Sequence, residues 1–528
     1  MSQEKDPILI SHLAKQGVDD RMVMGHPAGL FVLFFTEMWE RFSYYGMRAL
    51  LTVFLITEIA KGGWEWTNAD AMQLYAWYTG LVYLTPLLGG IIADKFTGFR
   101  KAILLGALIM TLGHASMALE LISPTFFYVG LVFMILGNGM FKPNISSMVG
   151  NLYPDSSAKK DAGYTIFYMG INAGAFLGML LCGYIGEKVG WHYGFGLAGV
   201  FMLFGMLQFY FGRNIFGVIG AEPVKQTPEE IAQIAADSDE IETPAHIVRD
   251  RLIVVGVLMV ARMFFFFAFE QAGGSMTVFA KDYTQRVLEG NTGLIFKWVD
   301  AILTIFPILI VSWVLYGLGK KIYKDYPMTI IFTGISFVII WILGGWKVYR
   351  EFSLEQTEVT VSWFQILNSF FIITLASSFS RMWEKVWNPS GPVKFALGLA
   401  LVGLGFVVLS LGASTIPQGA KTASVSMIWL ILAYFFHTTG ELCLSPVGLS
   451  YVSKLSPKRL AGLLFGLWFT ASAIANFIAG MTGSYIDKIS ETYSMSTFFL
   501  IIAAIPIIAA VLLLLLNPKL KKMMHGIH

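Results

Sequence analysis

Fourteen apolar runs, each long enough for a helix of about 20 residues, divide the chain between residues 29 and 516. A helix of that length rises about 30 Å, which matches the hydrocarbon thickness of a bilayer. Membrane strands would be about ten residues long with strict alternation, and the runs show neither property. A chain of this kind satisfies its backbone inside each helix and turns its polar side chains toward one another. Composition agrees with that reading. Of 528 residues 56% are hydrophobic and 13% charged, against about 25% charged in a soluble domain. The 53 glycines suit helices that pack closely in lipid. The expected fold class is an all-α polytopic membrane protein.

The runs fall into two groups. Residues 1–28 read as a cytoplasmic tail, 29–216 as an N-terminal six-helix bundle, and 217–250 as a cytoplasmic linker containing Pro223, Pro228 and Pro244. Residues 251–516 read as a C-terminal six-helix bundle carrying an inserted helical hairpin at about 290–350, and 517–528 as a second cytoplasmic tail. Basic residues gather in alternate connections: Lys95, Arg100 and Lys101, then Lys159 and Lys160, then Lys320, Lys321 and Lys324, then Lys519, Lys521 and Lys522. Because basic loops stay on the cytoplasmic side, both termini are expected in the cytoplasm of a cell (inner or plasma) membrane protein. A net charge of +3 gives no reason to expect a nucleic-acid partner. Cys182 and Cys443 lie in apolar runs without metal-ligand spacing, so no metal and no cofactor are expected. The sequence has no His-Glu-x-x-His pair, no Gly-x-Ser-x-Gly turn and no phosphate-binding Gly-rich loop, which argues against a membrane enzyme.

Four basic residues fall inside the runs: Arg41, Arg48, Lys142 and Arg262. Charge in a bilayer is expensive and marks functional sites unless a salt bridge merely fixes packing; for Arg262 both readings stand. On the first run Glu37, Glu40, Arg41, Tyr44, Tyr45 and Arg48 fall within about 140° of helical arc over about 16 Å. Two acids, two guanidinium groups and two phenols on one face in low dielectric form a set whose protonation depends on which partners are near. That suits a proton relay and also a site for a zwitterion. Lys142 precedes Pro143, and Glu441 lies five residues before Pro446. Proline frees backbone carbonyls and bends helices, as midplane sites in repeated-half transporters require. Glu270 and Asn368 add polar groups in the second half.

These residues resemble a known family, the proton-coupled oligopeptide transporters of the major facilitator superfamily. Its E-x-x-E-R-F-x-Y-Y-G signature is similar to Glu37-Met-Trp-Glu40-Arg41-Phe-Ser-Tyr44-Tyr45-Gly46, and its F-Y-x-x-I-N-x-G signature to Phe167 through Gly174. Gly90 through Lys101 is similar to the superfamily's first cytoplasmic turn. Phe269-Glu270-Gln, Trp363-Phe-Gln-Ile-Leu-Asn368 and Gly440-Glu441-Leu-Cys-Leu-Ser445-Pro446 are further matches. The resemblance implies a major facilitator fold and proton-driven symport of di- and tripeptides by alternating access, within lipid and without a cofactor. It implies that Arg41, Lys142 and Tyr45 hold the peptide carboxylate, and that Glu441 holds the amine with Asn172 and Asn368. Tyr83, Tyr168, Ser445 and Trp468 would complete the pocket, and Glu37, Glu40, Arg41, Arg48 and Glu270 would couple protons. A symporter of the same fold for nitrate or an organic acid is the alternative; Glu441 argues against it, because an anion needs no buried carboxylate partner. One departure stands out: about 80 residues separate the Glu270 run from Trp363, and they hold the two runs assigned to the hairpin.

Overall fold

The backbone of a lipid-embedded chain bonds to itself, and in the computed structural model it does so in fourteen helices of 20 to 33 residues. The structure describes residues 6–154, 156–157, 159–223, 244–457 and 460–527. The first half comprises α2 (Ala28–Ile56), α3 (Asn68–Ile92), α4 (Gly98–Met117), α5 (Pro124–Asn151), α6 (Lys160–Lys188) and α7 (Trp191–Gly212). The second comprises α8 (Ala245–Phe269), α11 (Trp363–Lys385), α12 (Gly391–Ala413), α13 (Ile428–Leu455), α14 (Ala461–Gly483) and α15 (Met495–Met523). Between α8 and α11 stands a hairpin of α9 (Gly290–Ile322) and α10 (Pro327–Ser353). Most of the expected linker, including residues 224–243, lies outside the described residues.

Length and hydropathy alone identify twelve membrane spans among the described residues. One of these, Asn68–Met117, has 50 residues and would rise about 75 Å, more than two bilayer cores. It holds α3 and α4, separated by a wide turn at Ala93–Thr97 and by Gly98 with φ 71°, a left-handed conformation that glycine adopts freely. The remaining helix, α2, is as long as the others but carries Glu37, Glu40, Arg41 and Arg48.

Residues 7–15, read as part of a tail, form a helix α1 (Pro7–Lys15) that buries Leu9 and Leu13. Its His12 ring meets the carbonyl of Asn151 at 2.9 Å. At the C-terminus His525 meets Asp250 at 2.9 Å. Both termini thus lie at one end of the bundle, called here the terminal end; the other is the far end.

Small residues set the helix spacing. Gly170, Gly174 and Gly178 run along α6 opposite Phe34, Met38 and Phe42 of α2. A Cβ on Gly174 would lie 2.1 Å from the Met38 carbonyl oxygen, and one on Gly178 2.2 Å from that of Phe42. With no hydrophobic effect between helices in lipid, such close approach supplies the packing energy. Gly106 and Gly137 serve α4 and α5 in the same way, and Gly398 and Gly440 serve α12 and α13.

The hairpin follows α8 in sequence yet docks on the first half. On α10, Thr329 donates to the Gln208 carbonyl at 3.2 Å and Thr333 to the Gln208 side chain at 2.5 Å. Phe337 packs edge-on against Phe35 and Trp39 of α2. A two-residue ladder, β3 (Val287–Leu288) with β4 (Thr357–Glu358), closes its base; the earlier ladder is β1 (Met22–Val23) with β2 (His26–Pro27).

Candidate functional site

The two halves are shut together at the far end. Arg48 Nη2 lies 2.5 Å from Glu270 Oε2, across the interface between α2 and the turn after α8. Tyr75 accepts from Arg48 Nε at 3.0 Å and reaches Glu270 at 3.4 Å. Thr52 donates to the Gly273 carbonyl at 2.7 Å. Asn68 donates to Asp487 at 3.0 Å. Glu187, near the end of α6, accepts from the backbone N–H groups of Val361 and Ser362 at 2.8 and 2.9 Å. It thereby occupies the positive N-terminus of α11, where a carboxylate is favoured. Lys188 pairs with Glu358 at 2.6 Å. Among the described residues, the hydrogen bonds that join the two six-helix halves are at this end.

Below this closure lies a cavity of about 280 Å³, lined from both halves. The first half supplies Tyr45, Arg48, Tyr83, Lys142, Tyr168 and Asn172; the second supplies Arg262, Glu270, Asn368, Glu441 and Ser445. The lining continues toward the terminal end as far as Leu449, eight residues or about 12 Å beyond Glu441 along α13. Tyr168 and Leu449 are each 43% exposed, so the cavity is open rather than sealed there.

Three charged groups in the lining lack a counter-ion within 4.0 Å among the described residues. Lys142, carried by α5 just before its internal Pro143, sits over the ring of Tyr83 at 4.4 Å. Glu441 on α13 accepts from Asn368 Nδ2 at 2.9 Å and meets no cation. Arg262 on α8 donates to Ser472 at 3.0 Å and meets no carboxylate. The salt-bridge alternative for Arg262 is therefore not what the structure holds.

Four residues expected in the site stand outside the lining. Arg41 is 2% exposed and lies 2.9 Å from Glu37 and 2.5 Å from Glu40. These are ion pairs by distance rather than aligned hydrogen bonds. Glu40 also accepts from Asn138 at 2.9 Å. The cluster thus sits behind the wall, Arg41 close to both acids. Trp468 is likewise buried behind the wall, and its neighbour Phe469 takes the lining position.

The sequence reading gave no site role to Phe266, Phe269, Gln365, Tyr434 and Phe469, all of which line the cavity. Phe266 and Gln365 lie one turn from Glu270 and Asn368 and share their faces, a signal that was available. Phe469 gave none, because the polar Ser472 and Asn476 of α14 fall between the directions of Trp468 and Phe469 and do not choose between them.

A model of the POT family matches residues 100–236 and 340–508. The chain is 32% identical over 532 residues to the di-/tripeptide transporter of Lactococcus lactis subsp. cremoris, covering 96% of this chain and 98% of that one. It is 32% identical over 562 residues to the peptide transporter YePEPT of Yersinia enterocolitica, covering 96% and 97%. It superposes on the crystal structure of a peptide transporter POT in complex with sulfate, with a TM-score of 0.74 at 30% identity over 99% of this chain and 100% of that one. A POT family transporter in complex with 5-aminolevulinic acid gives a TM-score of 0.75 at 26% identity, over 96% and 99%.

Proposed function

The chain belongs to the POT family, and on that premise we propose that it imports di- and tripeptides together with protons by alternating access. One observation carries the reading: Lys142 from the first half and Glu441 from the second face a single cavity, each without a counter-ion among the described residues. A zwitterion satisfies both, its carboxylate on Lys142 beside Tyr45 and its amine on Glu441 with Asn368 and Asn172. Because the two charges belong to different halves, a bound peptide draws the halves together. A simple anion would satisfy Lys142 and leave the half-buried Glu441 without a cation, a loss that a zwitterion avoids.

With basic loops and both termini in the cytoplasm, the shut far end faces outside and the cavity faces inward. Arg48 and Glu270 then form the outer bolt. Glu37, Glu40 and Arg41 form a relay behind the wall, and Arg41 reaches the peptide when that cluster takes up a proton and loosens. Uptake of labelled dialanine into proteoliposomes under an inward proton gradient tests the proposal. Accumulation above equilibrium that collapses with a protonophore is expected, and N-acetyl-dialanine should compete at least tenfold less well than dialanine. Equal competition would remove the amine from Glu441.

A further inference from the structure

The terminal charges of a peptide account for Lys142 and Glu441. They leave Arg262, which lines the same cavity from the second half. Only 7% exposed, it is held rigidly: its guanidinium carbon stands 4.3 Å from the ring centre of Phe266 and 5.0 Å from that of Trp468, and its Nε donates to Ser472. Aromatic faces hold a guanidinium in a fixed plane without neutralising it. Of the five donors on an arginine, those on Nη1 and Nη2 meet no acceptor among the described residues. The other charges in and behind the lining do not serve it. Arg48 and Glu270 bind each other, and Glu37 and Glu40 lie behind the opposite wall with Arg41. A zwitterionic backbone therefore fills the cavity and still leaves one cation facing it. A guanidinium presents the two parallel donors that a carboxylate accepts.

We propose that Arg262 is a subsite for an acidic side chain, so that the cavity prefers peptides containing Asp or Glu over their neutral counterparts. This rests on the peptide reading above and adds the substrate class. Ser472 and Trp468 are positioning residues here, since they fix the guanidinium and stand behind it.

The test compares isosteric competitors that differ only in charge. Ala-Glu against Ala-Gln, and Glu-Ala against Gln-Ala, compete with labelled dialanine at pH 7 in proteoliposomes. The wild type is expected to favour the acidic member of at least one pair about tenfold, the value of one charge-assisted hydrogen-bonded contact. Arg262→Gln should bring that ratio close to one whatever its absolute activity, and Arg262→Lys should keep part of it. A wild type that prefers neither acidic peptide overturns the inference even if Arg262→Gln does not fold. An Arg262→Gln protein with the wild-type ratio overturns it too, because a purely structural arginine leaves the ratio unmoved. Dialanine uptake with no acidic preference defeats this inference alone; no uptake of any peptide defeats the peptide reading and this with it.

Discussion

At the scale of single residues, the far-end closure includes one buried ion pair. Glu270 holds Arg48 at 2.5 Å in a buried setting, with Tyr75 bonded to both. A proton on Glu270 removes the counter-charge and leaves Arg48 buried and unpaired, a penalty of about 3–5 kcal/mol. Opening the far end to water relieves it. The driving force matches that scale: about 2.3 kcal/mol per proton for each 100 mV, and about 1.4 for each unit of pH difference. Glu270→Gln mimics the protonated form permanently. We expect it to abolish accumulation of peptide against a gradient while sparing exchange of internal for external peptide, which moves no net proton. Paired measurements of counterflow and of gradient-driven uptake check this; accumulation by the Glu270→Gln protein would falsify the switch.

At the scale of helices, glycine decides where the site can be. The Gly170-Gly174-Gly178 row lets α6 lie against the backbone of α2, so the charged face of α2 is fixed relative to Asn172 and Tyr168 on α6. Gly178→Val puts a branched side chain 2.2 Å from the Phe42 carbonyl oxygen and must push the helices apart. Overpacking of this kind costs about 1–3 kcal/mol or more. The variant is expected to lose several degrees of thermal stability in detergent and to lose transport. Gly256, on α8, would meet nothing within 4 Å if it carried a Cβ. Gly256→Val should therefore melt as the wild type does, and the pair separates steric cost from a general intolerance of valine. The hairpin has a similar logic with polar atoms. On α10 Thr329, Thr333, Ser336, Ile340, Gly344, Lys347 and Glu351 are buried at steps of three and four residues. That stripe is readable in the sequence, since small and polar groups turn away from lipid. Its partner is not readable: Gln208 of α7 meets Thr329 and Thr333, Tyr184 of α6 donates to Glu351 at 2.6 Å, and Lys347 pairs with Asp300. Asp300 also accepts from Trp363 Nε1 at 3.2 Å, which ties the hairpin to the start of the helix that carries Asn368.

At the scale of the whole molecule, the chain is two six-helix halves bolted at the far end, with the inserted hairpin leaning on the half to which it does not belong in sequence. Its turn reaches the terminal end, where Arg21 pairs with Asp325. The termini and that turn should therefore share one side of the membrane. A single cysteine in place of Lys321, an exposed position, is expected to resist an impermeant thiol reagent added to intact cells and to react after the membrane is permeabilised. Labelling from outside would overturn the orientation.

The sequence by itself determined the class of protein, the number of crossings and the residue types at the site. Span length, the scarcity of charge and the spacing of Glu37, Glu40, Arg41 and Arg48 on one helical face follow from local geometry and from the cost of charge in lipid. Only the tertiary structure decided which members of that face meet the cavity. An arc of 140° is wider than one contact, and neighbouring helices divide it: Arg48 reaches the lining while Arg41 turns to Glu37 and Glu40. The same holds for Phe469 against Trp468, since Ser472 and Asn476 lie between those two directions on the helix and favour neither. It holds most for Arg262, whose lack of a carboxylate partner among the described residues is a fact about the helices packed around it and not about its own.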